Sequence, residues 1–195
     1  MTVTQLSELH IGRAGEHVAA ADLLLKGYDC FPAAQGMPYD LVADCDSWLY
    51  KVQVKATLTT RAIPQHKDHV PAYLFWVNRC GKDGVKGYAR NEVDIFALVA
   101  LDTKEVGYIE VHRMPKTLIV RSSLYKGQYL DERVGARNNA VRRDLAAGMT
   151  VPAVCQKYEL DRAYAHRIKR EPEYTKSKSL YLADLTLSKA IGIQK

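Results

Sequence analysis

The order of apolar and polar positions predicts one helix followed mainly by strands. Leu9–Lys26 is rich in Ala and Leu, and Gly27 is a plausible helix stop. Tyr28–Phe31 reads as a short strand ended by Pro32, and the AAQGMP stretch after it as a loop. Tyr39–Ala43 and Trp48–Thr57 are strand-like and flank the turn-rich group Asp44–Ser47. Ala72–Asn78 is aromatic and β-prone, and Val93–Leu101 and Val106–His112 read as further strands. Gly81–Gly87 (GKDGVKG) lacks the spacing of a phosphate-binding P-loop and reads as a hairpin connection. One helix followed by many strands predicts an α+β domain with a central sheet.

The pattern changes near residue 131. Val141, Leu145, Val154, Leu160 and Ile168 recur at helical spacings and can form a small apolar core. Gly148 breaks a first helix, Thr150 can cap a second with Pro152 in its first turn, and Asp161 can cap a third over Arg162–Arg170. Three short helices with tight connections outline a helix-turn-helix. The expected organisation is a domain over 1–130, a small all-α module over 131–170 and a tail over 171–195. Within that tail, Leu180–Ile191 is expected to be helical.

Charge sharpens this division. The chain carries a net +6, yet residues 1–130 hold 15 Lys/Arg against 14 Asp/Glu, while residues 131–195 hold 13 against 8. Residues 133–170 alone hold 9 basic and 3 acidic residues, the electrostatic footprint expected for a polyanion. Apolar runs such as Val93–Leu101 fall far short of the roughly 20 residues that span a membrane. The opening MTVTQLSELH lacks the basic and apolar regions of a signal peptide. Four scattered cysteines without a CxxC pair argue against a zinc or disulfide framework, so a cytoplasmic location is expected.

Candidate chemistry lies in YDLVADCDSWLYKVQVKAT, residues 39–57. If Asp46 and Ser47 form a two-residue hairpin tip, residues whose numbers sum to 93 face each other, so Asp40 pairs with Gln53. Opposed side chains have Cβ atoms about 5 Å apart. Gln53 and Lys55 share a face of their strand, while Val52 and Val54 point to the core. A carboxylate, an amide oxygen and an ammonium would then cluster. A hard cation such as Mg²⁺ takes oxygen ligands, commonly one or two carboxylates plus waters. It polarises a phosphate and acidifies bound water, and a nearby lysine can orient that water or offset charge developing on phosphorus. An amphipathic hairpin with a plain polar face would look the same.

Other groups read more simply. His66 and His69, with Asp68 between them, fall in a loop bracketed by Pro64 and Pro71. Tyr73, Phe75 and Trp76 could stack on bases but suit a strand core. His17 adjoins Glu16 and could tune it.

Gly15-Glu16 on the first helix, Asp40 at the start of a strand and Gln53-x-Lys55 on the next resemble the PD-(D/E)XK nuclease superfamily. The likeness runs over Ile11–Thr57 and includes GEHVAAADLLLKGYDCFPA; YARNEVDIFALVALDTKEVGYIEV resembles later strands of a branch with group I intron homing endonucleases, which uses Gln-x-Lys. The resemblance implies a restriction-endonuclease-like fold with Asp40 as main metal ligand. Gln53 would contribute its side-chain oxygen, Glu16 would ligate directly or through water, and Lys55 would contact the water or scissile phosphate. Mg²⁺ is the implied metal, with Mn²⁺ substituting. Gln53 stands where an acidic residue is commoner, which places more weight on Glu16; Tyr39, and not Pro38, precedes Asp40. Residues 137–170 resemble the C-terminal DNA-binding modules of serine recombinases. That likeness puts Arg162, Tyr164, Ala165 and His166 on the leading part of a recognition helix, with Arg167, Lys169 and Arg170 at phosphates; Arg142 and Arg143 add to the DNA-binding set. The expectation is a metal-dependent endonuclease acting on double-stranded DNA as a homo-oligomer, of homing or mobile-element type. A non-catalytic DNA-binding regulator and a junction resolvase or repair nuclease are the alternatives.

Overall fold

The computed structural model describes residues 6–62, 70–81, 84–89, 91–172 and 180–192. They divide into two units: Met1–Pro64, Pro71–Leu124 and Leu180–Lys195 form the first, and the second centres on Tyr125–Ser179. His66, Asp68 and His69 lie outside the described residues.

In the first unit, helix α1 (Glu8–Leu25) starts at Ser7, whose side chain accepts from the His10 N–H, and ends before Gly27 at φ +85°. Gly15, Ala19 and Leu23 recur every fourth residue and form its buried stripe. Strands β1 (Asp29–Pro32), β2 (Leu41–Cys45), β3 (Trp48–Thr57), β7 (Ile95–Ala100) and β8 (Glu105–Glu110) form one mixed sheet in the order β1-β2-β3-β7-β8. Only the β3–β7 pair is parallel. The β2–β3 turn has Asp46 at φ 50° and Ser47 at φ 76°, the paired positive values of a type I′ hairpin. It sets Leu41 opposite Val52, the predicted register. This is an α+β restriction-endonuclease-like architecture.

β7 is buried along its whole length, as expected of a central strand covered on both faces. Ile95, Ala97 and Val99 join α1, β2 and β3 in one apolar cluster. Phe96, Leu98 and Ala100 join Tyr73, Phe75 and Val120 in a second. Tyr73 and Phe75 lie on β4 (Ala72–Trp76), which pairs with β9 (Thr117–Arg121) as a separate ribbon. Both aromatics are core, while Trp76 is exposed. The stretch around GKDGVKG contains a short pair, β5 (Arg79–Gly81) with β6 (Gly84–Lys86). The expected strand through His112 stops at Glu110, and Val111–Arg113 turns as a 3₁₀ helix.

The end of the chain is not one helix over Leu180–Ile191. It folds as a 3₁₀ turn, Leu182–Asp184, and a four-residue helix, α5 (Leu187–Ala190). The Leu180 and Leu185 carbonyls accept from Arg121 and Tyr108 N–H groups, so both are engaged by strands of the first unit. Gly107 on β8 permits this, because a Cβ there would stand 3.1 Å from both the Leu182 oxygen and the Leu185 Cβ.

The second unit contains α2 (Leu130–Ala146), α3 (Val151–Tyr158) and α4 (Arg162–Arg170). Val141, Val154 and Ile168 are its fully buried centre, ringed by Leu145, Met149, Tyr158, Leu160 and Tyr164. Gly148 follows α2 at φ +93°. Thr150 holds the cap position of α3 without a side-chain capping bond. Asp161 caps α4, accepting from the Tyr164 N–H at 2.7 Å.

Candidate active site

The site is assembled from one helix and one hairpin. Asp40 lies just before β2; its N–H donates to the Val52 carbonyl at 2.9 Å, at the end of the ladder where Leu41 pairs with Val52. Its Oδ2 accepts from the Val54 N–H at 2.7 Å and from the Gln53 Nε2. The hairpin thus brings Asp40 and Gln53 together. Val52 and Val54 are buried in the cluster under α1. Burial raises the Asp40 pKa above the usual carboxylate value, against the lowering effects of the Val54 N–H, the Lys55 charge and the Gln53 amide.

Glu16 faces this group because α1 packs closely on β3. A Cβ on Gly15 would collide with the Ala56 Cβ and touch Val54 Cγ1 at 3.5 Å, so only glycine allows this approach. The Glu16 pKa is raised, first by burial and then by the negative charge of Asp40; Arg13 and His17 oppose the shift. A carboxylate whose ionisation is made costlier by a neighbouring carboxylate suits a nearby cation. Among the described residues, no group of three or more His, Cys, Asp or Glu could hold a metal ion. The available donor set is two carboxylates plus neutral oxygens, which fits a cation that retains waters, as Mg²⁺ does. The Gln53 amide presents its nitrogen to Asp40 and the Val54 carbonyl. Amide orientation follows the local charge, so a cation at Asp40 would favour the oxygen in that place.

Lys55 extends from β3 to Tyr88, with its Nζ donating to the phenolic oxygen at 2.9 Å. The Tyr88 ring meets Phe96 edge-on with centroids 5.3 Å apart, and the Arg79 guanidinium lies 5.3 Å from the Tyr88 centroid. Burial, and secondarily the Asp40 charge, push the Tyr88 pKa up to about 12, so it remains a neutral phenol at physiological pH. Arg79 Nη2 donates to both Glu92 oxygens at 2.7 and 2.9 Å, and Glu92 also accepts from the Ala89 N–H. Gly36, Met37, Pro38, Gln53, Arg79, Tyr88 and Glu92 line a cleft of about 430 Å³. Sequence reasoning missed Tyr88, Arg79 and Glu92. Tyr88 and Glu92 lie inside the YARNEVD stretch, but nothing in its spacing ties position 88 to position 55.

In the second unit, Arg143, Arg162, His166, Arg167, Lys169 and Arg170 are exposed. Arg167 also approaches Glu171 at 3.5 Å. Two members of the predicted DNA-binding set are engaged internally. Arg142 Nε donates to the Ile168 and Glu171 carbonyls at the end of α4, and its Nη1 donates to Asn139. The Tyr164 hydroxyl accepts from Arg137 and Asn138, while the Arg167 guanidinium lies 4.5 Å from its ring centroid. Ala165 is fully buried and faces the core.

Three comparisons bear on this geometry. No curated protein matches the chain. The fold is similar to the structure of a bacterial homing endonuclease, with a TM-score of 0.50 at 16% sequence identity, covering 74% of this chain and 100% of that one. A family model described as PD-(D/E)XK endonuclease matches residues 7–126. That span contains Glu16, Asp40, Gln53 and Lys55 and takes in more than half of the 195 residues, and the chain therefore belongs to the PD-(D/E)XK endonuclease family.

Proposed function

We propose that this protein is a Mg²⁺-dependent endonuclease that hydrolyses phosphodiester bonds of double-stranded DNA at preferred sites, with Mn²⁺ able to substitute. The observation that carries the reading is the convergence of Glu16, Asp40, Gln53 and Lys55 from α1 and the β2–β3 hairpin. Asp40 and Glu16 would hold the cation with the Gln53 amide oxygen. The bound cation would supply Lewis acidity towards the phosphate and acidify a water. Lys55 would neutralise charge gathering on the phosphate oxygens as the nucleophile adds. Asp40 is kept in place for this by the Val54 N–H, so its orientation does not depend on the substrate.

The three-helix unit would serve as a helix-turn-helix that finds the target. Arg162 and His166 on the exposed face of α4 would reach base edges, and Arg167, Lys169 and Arg170 would contact phosphates. Cutting both strands of a duplex calls for two active sites, so a homo-oligomer is the expected working form. This domain pairing supports a homing or mobile-element role over junction resolution. The deciding experiment is incubation of plasmid DNA with the protein and Mg²⁺ or Mn²⁺, followed by sequencing of the ends. Discrete recurring ends support the reading, and intact plasmid in every condition would sink it. The alternative of a non-catalytic DNA-binding regulator is favoured by the residue type at position 53, where the neutral Gln53 amide binds a cation less strongly than a carboxylate would. Binding without cleavage would be that protein's signature.

A further inference from the structure

We propose that Tyr88 is a positioning residue of this site: its hydroxyl accepts from the Lys55 ammonium and helps to hold it where it can reach the scissile phosphate. The inference rests on the assignment of Lys55 as a catalytic group. A lysine has four rotatable side-chain bonds and loses substantial rotamer freedom when fixed. β3 fixes the Lys55 backbone opposite Leu98, but a fixed backbone alone would let its Nζ sweep an arc. The Tyr88 oxygen stands 2.9 Å from Nζ, whereas the Tyr88 ring centroid is 5.0 Å away. A phenol oxygen lies about 2.8 Å from its own ring centre by standard covalent geometry, so these distances place the ammonium beyond the hydroxyl end rather than over the ring face. The contact is a charge-assisted hydrogen bond, which is directional and strong.

The ring that carries this hydroxyl is itself packed by two neighbours. Phe96 meets it edge-on at 81°, from the central strand β7. The Arg79 guanidinium packs against it and is fixed by Glu92 through two oxygens. Glu92 is in turn fixed by the Ala89 N–H, one residue from Tyr88. A hydroxyl so braced can serve as a fixed post for a flexible cation. As a neutral phenol that accepts one hydrogen bond from Lys55, it retains its own hydrogen to donate into the cleft it lines.

The test uses full-length protein and Tyr88→Phe, which keeps the ring and its packing against Phe96 and Arg79 and removes only the oxygen. Single-turnover cleavage should fall about ten- to a hundredfold, the range expected for losing a hydrogen bond to a charged group. The KM and the DNA Kd measured with Ca²⁺ should stay within about twofold. A second measurement does not depend on cleavage. In ¹H–¹⁵N spectra of the lysine ammonium groups, a hydrogen-bonded Lys55 gives an observable signal, assigned by its loss in Lys55→Arg. That signal should vanish or shift in Tyr88→Phe. Parental cleavage by Tyr88→Phe would overturn the positioning role, and so would an unmoved Lys55 signal. If the parent cuts no DNA at all, the nuclease reading fails by itself, and the Lys55 signal still decides whether Tyr88 holds the ammonium.

Discussion

The two units place their polar groups in opposite ways. In the first, Gln53 is 9% exposed, Asp40 is partly buried and accepts a backbone N–H, and Lys55 is tied to a tyrosine. In the second, the cations of α4 stand in solvent around a small apolar centre built on Val141, Val154 and Ile168. Desolvated groups interact strongly but must be fixed and paired. Exposed cations interact weakly with one another, yet each one that neutralises a phosphate releases condensed counterions. The first arrangement suits chemistry at one bond, and the second suits attraction to a polyanion. Changes in the two units should therefore separate rate from affinity.

The largest effect should come from removing the fixed groups. Asp40→Ala and Lys55→Ala should each lower cleavage by about a thousandfold or more, in line with losing a preorganised charge from an active site. Both should bind DNA within about threefold of the parent, because the exposed cations remain. Cleavage by either variant at the parental rate would remove that residue from the site. The complementary change, Arg167, Lys169 and Arg170 all to Ala, should weaken binding to every sequence. It should also flatten the slope of log affinity against log salt by about 0.9 for each phosphate that is no longer neutralised. Once DNA saturates the protein, its cleavage rate should match the parent. An unchanged salt slope would mean that α4 does not face the backbone. Arg162→Ala and His166→Ala should instead erode preference at particular positions, by roughly 1–3 kcal/mol for a good base interaction.

How much of this was legible in the sequence follows the range of the interactions involved. The hairpin register was readable because it is local: a two-residue turn with Asp46 and Ser47 at positive φ sets Leu41 against Val52, and the side chains of the next residues, Asp40 and Gln53, then meet. The helices around Gly148 and Asp161 were readable for the same reason, since caps and breakers act within a few residues. β9 was missed because TLIVR is too short and weakly patterned to stand out, and its strand character comes from pairing with β4 more than forty positions earlier. Tyr88 was missed because its bond to Lys55 joins residues separated by 33 positions. Arg142 was assigned to the DNA-binding set, and only the folded arrangement reveals that its guanidinium also donates to the Ile168 and Glu171 carbonyls at the end of α4.

A change at the helix–strand packing tests whether the first unit depends on close approach for its chemistry. Gly15→Ala gains about 1 kcal/mol of helix propensity. Against this, the new methyl meets the Ala56 Cβ, which has no flexible end to move aside. Overpacking of this kind costs about 1–3 kcal/mol, so the net expectation is a lower Tm. Because Glu16 is the next residue, α1 should carry it away from Asp40 as it shifts, and cleavage should fall while DNA affinity holds. A higher Tm with full cleavage would show that α1 can retreat without disturbing the site.

The smallest effect is a matter of stability alone. An acid whose pKa is raised by folding binds more protons folded than unfolded between the two values, so stability falls as pH rises through that window. Asp40 is such an acid, raised chiefly by burial. Its ionised form therefore weakens the fold at neutral pH. Asp40→Asn removes the desolvated charge and retains an oxygen able to accept from the Val54 N–H. In chelator at pH 7 the variant should melt higher than the parent, a shift read directly from the two melting curves. The gap should close as pH falls below the ordinary Asp value of about 3.9, where the parent is protonated in both states. Added Mg²⁺ should raise the parent and leave the variant nearly unchanged, because a ligand stabilises only the state that binds it. A variant that melts lower at pH 7 would mean that the Val54 and Gln53 bonds to the carboxylate outweigh its burial.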